Sequence, residues 1–108
     1  MTLFEDRERA FEQMFVHDEE AQFRALARRN KLLGQWAANQ LGLTGTKADA
    51  YVNEISKSLV ARVVDEGLVG KLRADFEANG VNQSDDQIRE KMAELMAIAA
   101  SQVRSSTW

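Results

Sequence analysis

Residues 84–103 carry the sequence SDDQIREKMAELMAIAASQV, which joins a helix-capping pattern to a helical apolar stripe. Ser84 can cap a helix with its hydroxyl, Gln87 stands three residues later, and the two aspartates between them suit the positive end of a helix dipole. Apolar residues then recur every three or four positions: Ile88, Met92, Leu95, Met96, Ala99 and Val103. The pattern predicts an amphipathic helix with one buried face.

Two further helices are predicted between residues 46 and 79, because the chain has no proline to interrupt them. Thr46 and Asp49 resemble a capping box with Asp in place of the usual Glu or Gln. They open an apolar series of Ala48, Val52, Ile55, Leu59 and Val63. After a predicted junction at residues 67–71, a shorter helix carries apolar residues four apart and then a stop signal: Leu68, Leu72, Phe76 and Asn79–Gly80.

The first helical stretch extends from about Leu3 to Leu41 and is predicted to end at Gly42, which can adopt the left-handed conformation that closes a helix. A polar break at residues 18–22 divides this stretch. Beyond the break, apolar residues resume on a rotated face: Phe23, Leu26, Leu33, Ala37 and Leu41. The break separates an N-terminal arm, residues 1–18, from the remainder of the chain.

These elements predict an all-α protein in which four helices with short connections form a bundle. Val, Ile and Thr are scattered and do not alternate with polar residues, so no sheet is expected. A chain of 108 residues is the size of one domain. We expect a four-helix bundle over residues 19–108 and a mobile arm over residues 1–18, since an isolated helix of about 15 residues is only marginally stable in water.

Composition and charge favour a globular protein of a reducing compartment. The apolar types AVILMFWYC make up 44% of the chain and the charged types DEKR 29%, which suits a soluble protein with one core. The 14 basic and 17 acidic residues give a net charge of -3, which argues against nucleic-acid binding. Cysteine is absent, and neither a signal peptide nor a membrane-spanning run is found. The expected location is the cytoplasm.

The residue types give little support to catalysis or metal binding. The chain offers one histidine and no cysteine, whereas acid-base or nucleophilic chemistry needs a positioned pair or triad. His17 stands next to Asp18–Glu20 and is either a pH switch or a solvated polar residue. The clusters Asp18–Glu20 and Asp85–Asp86 lack the ligand spacing of a calcium loop, and Gly67–Lys71 lacks the pattern of a phosphate loop. We expect neither an enzyme nor a metal site.

A dense basic group lies on the first helix of the predicted bundle, which also carries Trp36. The group consists of Arg28, Arg29 and Lys31. Cations beside an aromatic ring suit an acidic partner surface or a nucleotide. The alternative is ion pairing with acidic helices of the same chain, which is common for charged helix faces. The group is therefore a candidate secondary contact, with an adenine nucleotide as its candidate ligand.

The N-terminal arm carries an aromatic stripe. Phe4, Phe11 and Phe15 fall on one helical face at spacings of seven and four, and charges of both signs surround them at Glu5–Arg9. An amphipathic helix of this kind suits a groove in a partner protein. The alternative is that the stripe packs on the chain's own bundle. The polar break that follows the stripe favours the partner.

Many segments of the chain are similar to those of one known family. They are Phe4–Glu12, Phe15–Glu20, Phe23–Arg24, Ala27–Gly34 and Trp36–Ala38 and, further along, Ala50–Tyr51, Lys71–Phe76, Gly80–Val81, Ser84, Ile88, Met92 and Glu94–Leu95. The most specific of them is ARRNKLLG at residues 27–34. On these segments the chain resembles the bacterial zeta subunits, which are inhibitors of F-type ATP synthase. It departs from the family pattern between Asn53 and Val69, where an acidic stretch containing phenylalanine is expected and the chain has Arg62 and a Val63–Val64 pair.

The resemblance implies a regulatory protein without chemistry or a cofactor of its own. Its arm, roughly Thr2–Phe15, would enter a catalytic interface of the synthase head and block rotation in the ATP-hydrolysing direction. The partners would be the alpha, beta and gamma subunits of that head, which places the protein in the cytoplasm, peripheral to the inner membrane. The expected contacts in the arm are Phe4, Asp6, Arg7, Arg9, Phe11, Glu12 and Phe15.

Different roles are expected for the aromatic and the charged residues of the arm. The phenylalanines would be apolar anchors, because a few desolvated aromatics dominate most interfaces. Asp6, Arg7 and Arg9 would set the register through charge pairing. Two other functions stay open: an adenine-nucleotide sensor that uses the basic group, and a structural or assembly factor in which the arm completes the bundle.

Overall fold

A computed structural model of the chain describes the backbone of residues 19–60 and 65–106 and the side chains of residues 20–57 and 65–105. These ranges form four helices: α1 (Glu19–Gln40), α2 (Gly45–Val60), α3 (Asp65–Ala78) and α4 (Asp85–Ser106). The ranges contain no strand. The predicted all-α, four-helix architecture is therefore confirmed.

Helices α1 and α3 end at the glycines that their sequences predict. Gly42 and Gly80 have φ angles of 73° and 70°, in the left-handed region that side chains disfavour. After α1, the N–H of Leu43 donates to the carbonyl of Ala38 at 2.9 Å, and the N–H of Gly42 donates to that of Asn39 at 3.1 Å. An equivalent pair of bonds closes α3. Each helix thus ends in a Schellman motif, which satisfies its last carbonyls.

Helix α4 begins with the predicted capping box. The N–H of Gln87 donates to Ser84 Oγ at 3.1 Å, and the N–H of Ser84 donates to Gln87 Oε1 at 2.8 Å. The two bonds satisfy donors that a helix N-terminus leaves without intrahelical partners.

Two predicted helix boundaries are wrong. Helix α2 begins at Gly45, so Thr46 lies in its first turn and does not cap it. Helix α3 begins at Asp65, so residues 67–71 lie inside the helix and are not a junction. A glycine in a helix costs about 1 kcal/mol, which is less than the roughly 1.5 to 3 kcal/mol gained by burying a side chain such as Leu68. The helix therefore continues through its glycines.

The buried hydrophobic core consists of two clusters, and each of them lies at the contact between helices. The larger part joins all four helices and consists of Leu33, Ala37, Ile55, Leu68, Val69, Leu72, Phe76, Ile88 and Met92. The smaller part joins the first half of α1 to the second half of α4 and consists of Ala21, Ala25, Ala100 and Val103. This arrangement makes α1 and α4 antiparallel. No described helix is long and apolar enough to cross a bilayer.

The buried face of α1 differs from the predicted one at Phe23, which is 55% exposed. The buried row repeats every four residues: Ala21, Ala25, Arg29, Leu33 and Ala37. Phe23 stands two residues from Ala21 and Ala25, which is about 200° around the helix, so it lies outside the row that packs on α4. On its other side α1 packs closely on α2, because a Cβ on Gly34 would lie 3.0 Å from Val52 Cα.

Candidate functional site

Arg29 is buried and joins α1 to α3. The residue is 4% exposed, and its guanidinium donates to both carboxylate oxygens of Asp65, at 2.9 and 3.1 Å. It also donates twice to Oδ1 of Asn30, which is 2% exposed, at 3.0 and 2.9 Å. These bonds leave the guanidinium facing the interior of the bundle, so Arg29 is not part of an open basic surface.

Arg28 and Lys31 lie on the outer surface of α1, where both are exposed. Neither forms an ion pair with a residue in the described part of the chain. They line an open cavity of about 400 Å³ together with Phe23, Arg24, Ala27 and Val103. We name the α1 residues of this surface the α1 patch: Phe23, Arg24, Ala27, Arg28 and Lys31.

Trp36 is half-buried and packs towards α3 and α4. Its ring meets the ring of Phe76 edge to face, with 5.5 Å between the centroids and 85° between the planes. The cation near its indole is Lys91 of α4, whose Nζ lies 5.8 Å from the ring centroid. Of the four residues predicted as a secondary contact, the structure therefore brings together Arg28 and Lys31, and it places Arg29 and Trp36 elsewhere.

A polar cluster between α2 and α3 was missed by the sequence analysis. The hydroxyl of Tyr51 donates to Asp75 Oδ2 at 2.7 Å, and Lys71 Nζ donates to the same oxygen at 3.1 Å. Lys71 Nζ also lies 2.9 Å from Glu54 Oε1. The sequence indicates this cluster only through the spacing of four between Lys71 and Asp75, which is typical of an ion pair on a helix. That spacing does not predict the contact with Tyr51.

The electrostatics of this cluster favour a structural role. Burial raises the pKa of Tyr51 above its ordinary value, and the hydrogen bond to the negative Asp75 raises it further. Burial opposes the charge of Lys71, yet hydrogen bonds to Glu54 and Asp75 raise its pKa. An acid-base catalyst needs a pKa near neutral pH, so both shifts move away from catalysis.

The acidic residues at the starts of α3 and α4 form ion pairs, of which those of Asp85 and Glu66 join the two helices and that of Asp86 lies within α4. Asp85 accepts a hydrogen bond from Arg73 at 3.0 Å, and Asp86 accepts one from Arg89 at 2.9 Å. Arg89 also lies 2.6 Å from Glu66, and this hydrogen bond holds the pKa of Glu66 below its usual range. Over the described residues, no three acidic or histidine side chains converge as metal ligands.

The predicted contacts of the arm lie outside the described residues: Phe4, Asp6, Arg7, Arg9, Phe11, Glu12 and Phe15. His17 lies outside them as well. The structure does fix where the arm joins the bundle. Helix α1 begins at Glu19, at the end of the bundle where Ala21 and Ala25 pack on the second half of α4.

A comparison with known families covers the arm and the bundle together. A family model described as ATPase inhibitor subunit zeta matches residues 1–102. The comparison with individual curated proteins gives no match. The family match therefore includes the whole arm and all of the described bundle except the last residues of α4.

Proposed function

Because the chain belongs to the ATPase inhibitor subunit zeta family, we propose that it is a non-catalytic subunit that inhibits ATP hydrolysis by an F-type ATP synthase. In this proposal the arm enters a catalytic interface of the synthase head, formed by alpha, beta and gamma subunits, and blocks rotation in the hydrolysing direction. The protein then sits on the head, peripheral to the inner membrane. The observation that carries the proposal is that the family match begins at residue 1 and so includes the arm.

The chemistry of the arm fits insertion into a groove. Phe4, Phe11 and Phe15 repeat at helical spacing and supply a stripe of aromatic anchors, the residue class that dominates interface energetics. Asp6, Arg7, Arg9 and Glu12 supply charges of both signs around the stripe, which suits orientation within the interface.

The bundle supplies a rigid platform for the arm. The two described core clusters extend from Ala21 to Val103 and bring all four helices together. Helix α1 continues for 22 residues from the point where the arm joins it. A short arm on a stiff helix loses less conformational freedom on insertion than an arm on a flexible linker.

The test is ATP hydrolysis by the cognate synthase head with added inhibitor. We expect the intact chain to inhibit hydrolysis and a chain that lacks residues 2–15 to have no effect. Phe11→Ala is expected to raise the half-inhibitory concentration about 30-fold or more, since removal of a hot-spot aromatic costs about 2 kcal/mol or more. Gln13→Ala is its matched control, because Gln13 lies about 180° from the aromatic stripe on a helix.

Each outcome of this test assigns a function. Loss of inhibition with the arm and with Phe11→Ala, but not with Gln13→Ala, would support the proposal. If the intact chain leaves hydrolysis unchanged, the proposal fails. An assembly role predicts instead that the chain without the arm no longer folds into a stable bundle, whereas the inhibitor proposal predicts that it keeps its helical circular dichroism and still unfolds cooperatively.

An adenine nucleotide is the second candidate ligand. The observation that favours it is the cavity beside Arg28 and Lys31, which are exposed cations without an ion pair in the described ranges. Arg29 and Trp36, which the same hypothesis requires, face the interior and α4. Amide chemical-shift changes around Lys31 on addition of ATP or ADP would support nucleotide binding. Their absence at millimolar nucleotide would exclude it.

A further inference from the structure

The α1 patch combines exposed apolar surface with cations that have no described partner. Phe23 is 55% exposed and is the large hydrophobic residue that the described part of the chain leaves most open to solvent. Arg28 and Lys31 lie beside it on the same open cavity, while Arg24 pairs with Glu20 across one exposed turn. A surface of this composition suits a segment that offers both aromatic side chains and carboxylates.

We propose that the α1 patch is a docking site for the chain's own arm. In the free protein, residues 4–15 form a helix that folds back antiparallel to α1 and covers Phe23, Ala27 and the neighbouring cations. The regulatory part of the proposal rests on the proposed function, because it concerns how many arms are free to reach the synthase.

The charges of the arm are complementary to those of the patch. Residues 1–18 contain five carboxylates and two arginines, so the arm is acidic. The carboxylates are Glu5, Asp6, Glu8, Glu12 and Asp18. The patch has three cations and no acidic residue among its five members. Docking therefore brings opposite charges together around an apolar centre.

The order of side chains around the two helices fits antiparallel docking. At about 100° per residue, Phe4, Phe11 and Phe15 lie within about 40° of one another on a helix, and Glu5, Glu8 and Glu12 flank them clockwise when the helix is viewed from its N-terminus. On α1, the cations Arg24, Arg28 and Lys31 flank Phe23 and Ala27 on the same clockwise side.

This shared handedness selects one orientation. When two antiparallel helices face each other, their clockwise flanks lie on the same side of the contact. The glutamates of the arm therefore meet the cations of the α1 patch. In a parallel pair, the two flanks would lie on opposite sides. The connection also requires the antiparallel orientation, because the arm enters α1 directly at Glu19.

The arm is long enough to cover the whole patch. The patch extends from Phe23 to Lys31, about 12 Å along α1, and residues 4–15 would span about 17 Å as a helix at 1.5 Å per residue. Residues 16–18 remain for the turn, within the usual two to eight residues of a helix–helix connection. Since residue 15 would then be level with Glu19, Phe11 would lie level with Phe23, and Phe4 near the far end of the patch.

Docking of this kind makes the arm less available. If only a fraction of the molecules has a free arm, the apparent affinity for a partner falls by that fraction. The α1 patch would thus compete with the synthase for the same aromatic stripe.

Paramagnetic relaxation in the full-length free protein tests the docking. The chain has no cysteine, so Gln35→Cys, at an exposed position of α1, accepts a single nitroxide label. We expect the label to broaden the amide signals of residues 4–9. Adding Arg28→Glu and Lys31→Glu should reduce this broadening at least twofold. Lys47→Glu with Lys57→Glu is the matched control, since both lysines are exposed and have no ion pair within the described ranges.

A charge swap completes the test. Glu5→Arg with Glu8→Arg, at the two arm positions level with residues 26–29, should restore the broadening in the Arg28→Glu, Lys31→Glu protein. Absence of broadening, or broadening that the patch substitutions leave unchanged, overturns the proposal. So does broadening between labelled and isotope-enriched chains in a mixed sample, because a second copy would then be the occupant.

The inhibition assay separates this proposal from the proposed function. The relaxation experiment needs no synthase, so docking can hold even if the intact chain never inhibits hydrolysis, and inhibition can hold even if the arm never docks. If both hold, Arg28→Glu with Lys31→Glu should lower the half-inhibitory concentration about two- to tenfold relative to the lysine control. Equal values for the two proteins would overturn the regulatory role.

Discussion

The guanidinium of Arg29 in α1 binds both carboxylate oxygens of Asp65 in α3, although the first side chain is 5% exposed and the second 63% exposed. The two members of the pair are therefore unequal. Asp65 without Arg29 would be solvated by water, whereas Arg29 without Asp65 would be a buried charge that keeps, among the described residues, Asn30 as its partner.

Asp65→Asn is expected to destabilise the bundle by about 1 to 2 kcal/mol. The loss of one partner of a fully buried pair costs about 3 to 5 kcal/mol, and the exposure of Asp65 reduces this figure. Asp86→Asn is the matched control, because it also removes an acidic residue from the first turn of a helix and breaks a pair with an arginine. Since that pair is exposed, its loss should cost about 0.5 kcal/mol or less. Urea unfolding measures the free energy of unfolding of both variants. Equal losses of stability would contradict the conclusion that burial of Arg29 makes its pair with Asp65 more important than an exposed pair.

Gly34 and Gly70 are predicted to respond oppositely to alanine. A Cβ at Gly34 would lie 3.0 Å from Val52 Cα, whereas one at Gly70 has nothing within 4 Å. Gly70→Ala should stabilise the protein by about 0.5 to 1 kcal/mol through helix propensity alone. Gly34→Ala gains the same helix propensity, but its Cβ pushes α1 away from α2. Overpacking of this kind costs about 1 to 3 kcal/mol, so the variant should be about 1 kcal/mol less stable than the parent. Similar denaturation midpoints for the two variants would show that α1 and α2 can move apart at Gly34 without a loss of stability.

The sequence predicts the fold well where one short pattern determines it. Gly42 and Gly80 close helices, and Ser84 with Gln87 opens one, because each of these signals acts through backbone bonds within a few residues. The apolar series Leu68, Leu72 and Phe76 is buried as predicted.

The inward face of α1 is harder to predict, since it depends on the neighbouring helices. Phe23 is the most apolar residue of its turn, yet the contact with α4 uses Ala21 and Ala25, and the phenyl ring remains outside. The residue in line with these alanines is Arg29, which hydrophobicity alone would place in solvent. Asp65 neutralises it from 36 positions along the chain, which is beyond the range of any local pattern.

The candidate site also has one part that local sequence patterns predict and one part that depends on the neighbouring helices. Arg28, Arg29 and Lys31 look equivalent in the sequence, but the helix turns Arg29 inward and leaves the other two exposed. The aromatic spacing in the arm is a local pattern and was found from the sequence, while its contact roles remain a prediction.

The capping box at α4 gives a prediction about a single hydroxyl. Ser84→Ala removes the acceptor of the Gln87 N–H and should cost about 1 kcal/mol of stability. For a domain of this size, this corresponds to a melting temperature about 4 to 8 °C lower. Ser101→Ala, at an exposed position inside α4, is the control and should be neutral or slightly stabilising, because alanine has the higher helix propensity. Equal melting temperatures for the two variants would mean that the cap does not contribute.

Alkaline pH is expected to destabilise the bundle through Tyr51. Burial and the bond to Asp75 raise the pKa of Tyr51 in the folded state, whereas the unfolded phenol ionises near pH 10. Above about pH 10 the unfolded state therefore binds fewer protons than the folded state, and the free energy of unfolding falls as the pH rises. Below that pH the contribution of Tyr51 is fully present.

Two measurements check this expectation on the same sample. Tyr51 is the only tyrosine, so phenolate absorbance reports on it alone. The absorbance should rise together with the loss of helical circular dichroism, and Tyr51→Phe should lose less stability above pH 10 than the parent. Lys71 also has a raised pKa and weakens folding in the same direction, so the variant keeps part of the alkaline loss. Ionisation near pH 10 with full helicity would show that the hydrogen bond to Asp75 does not hold the proton.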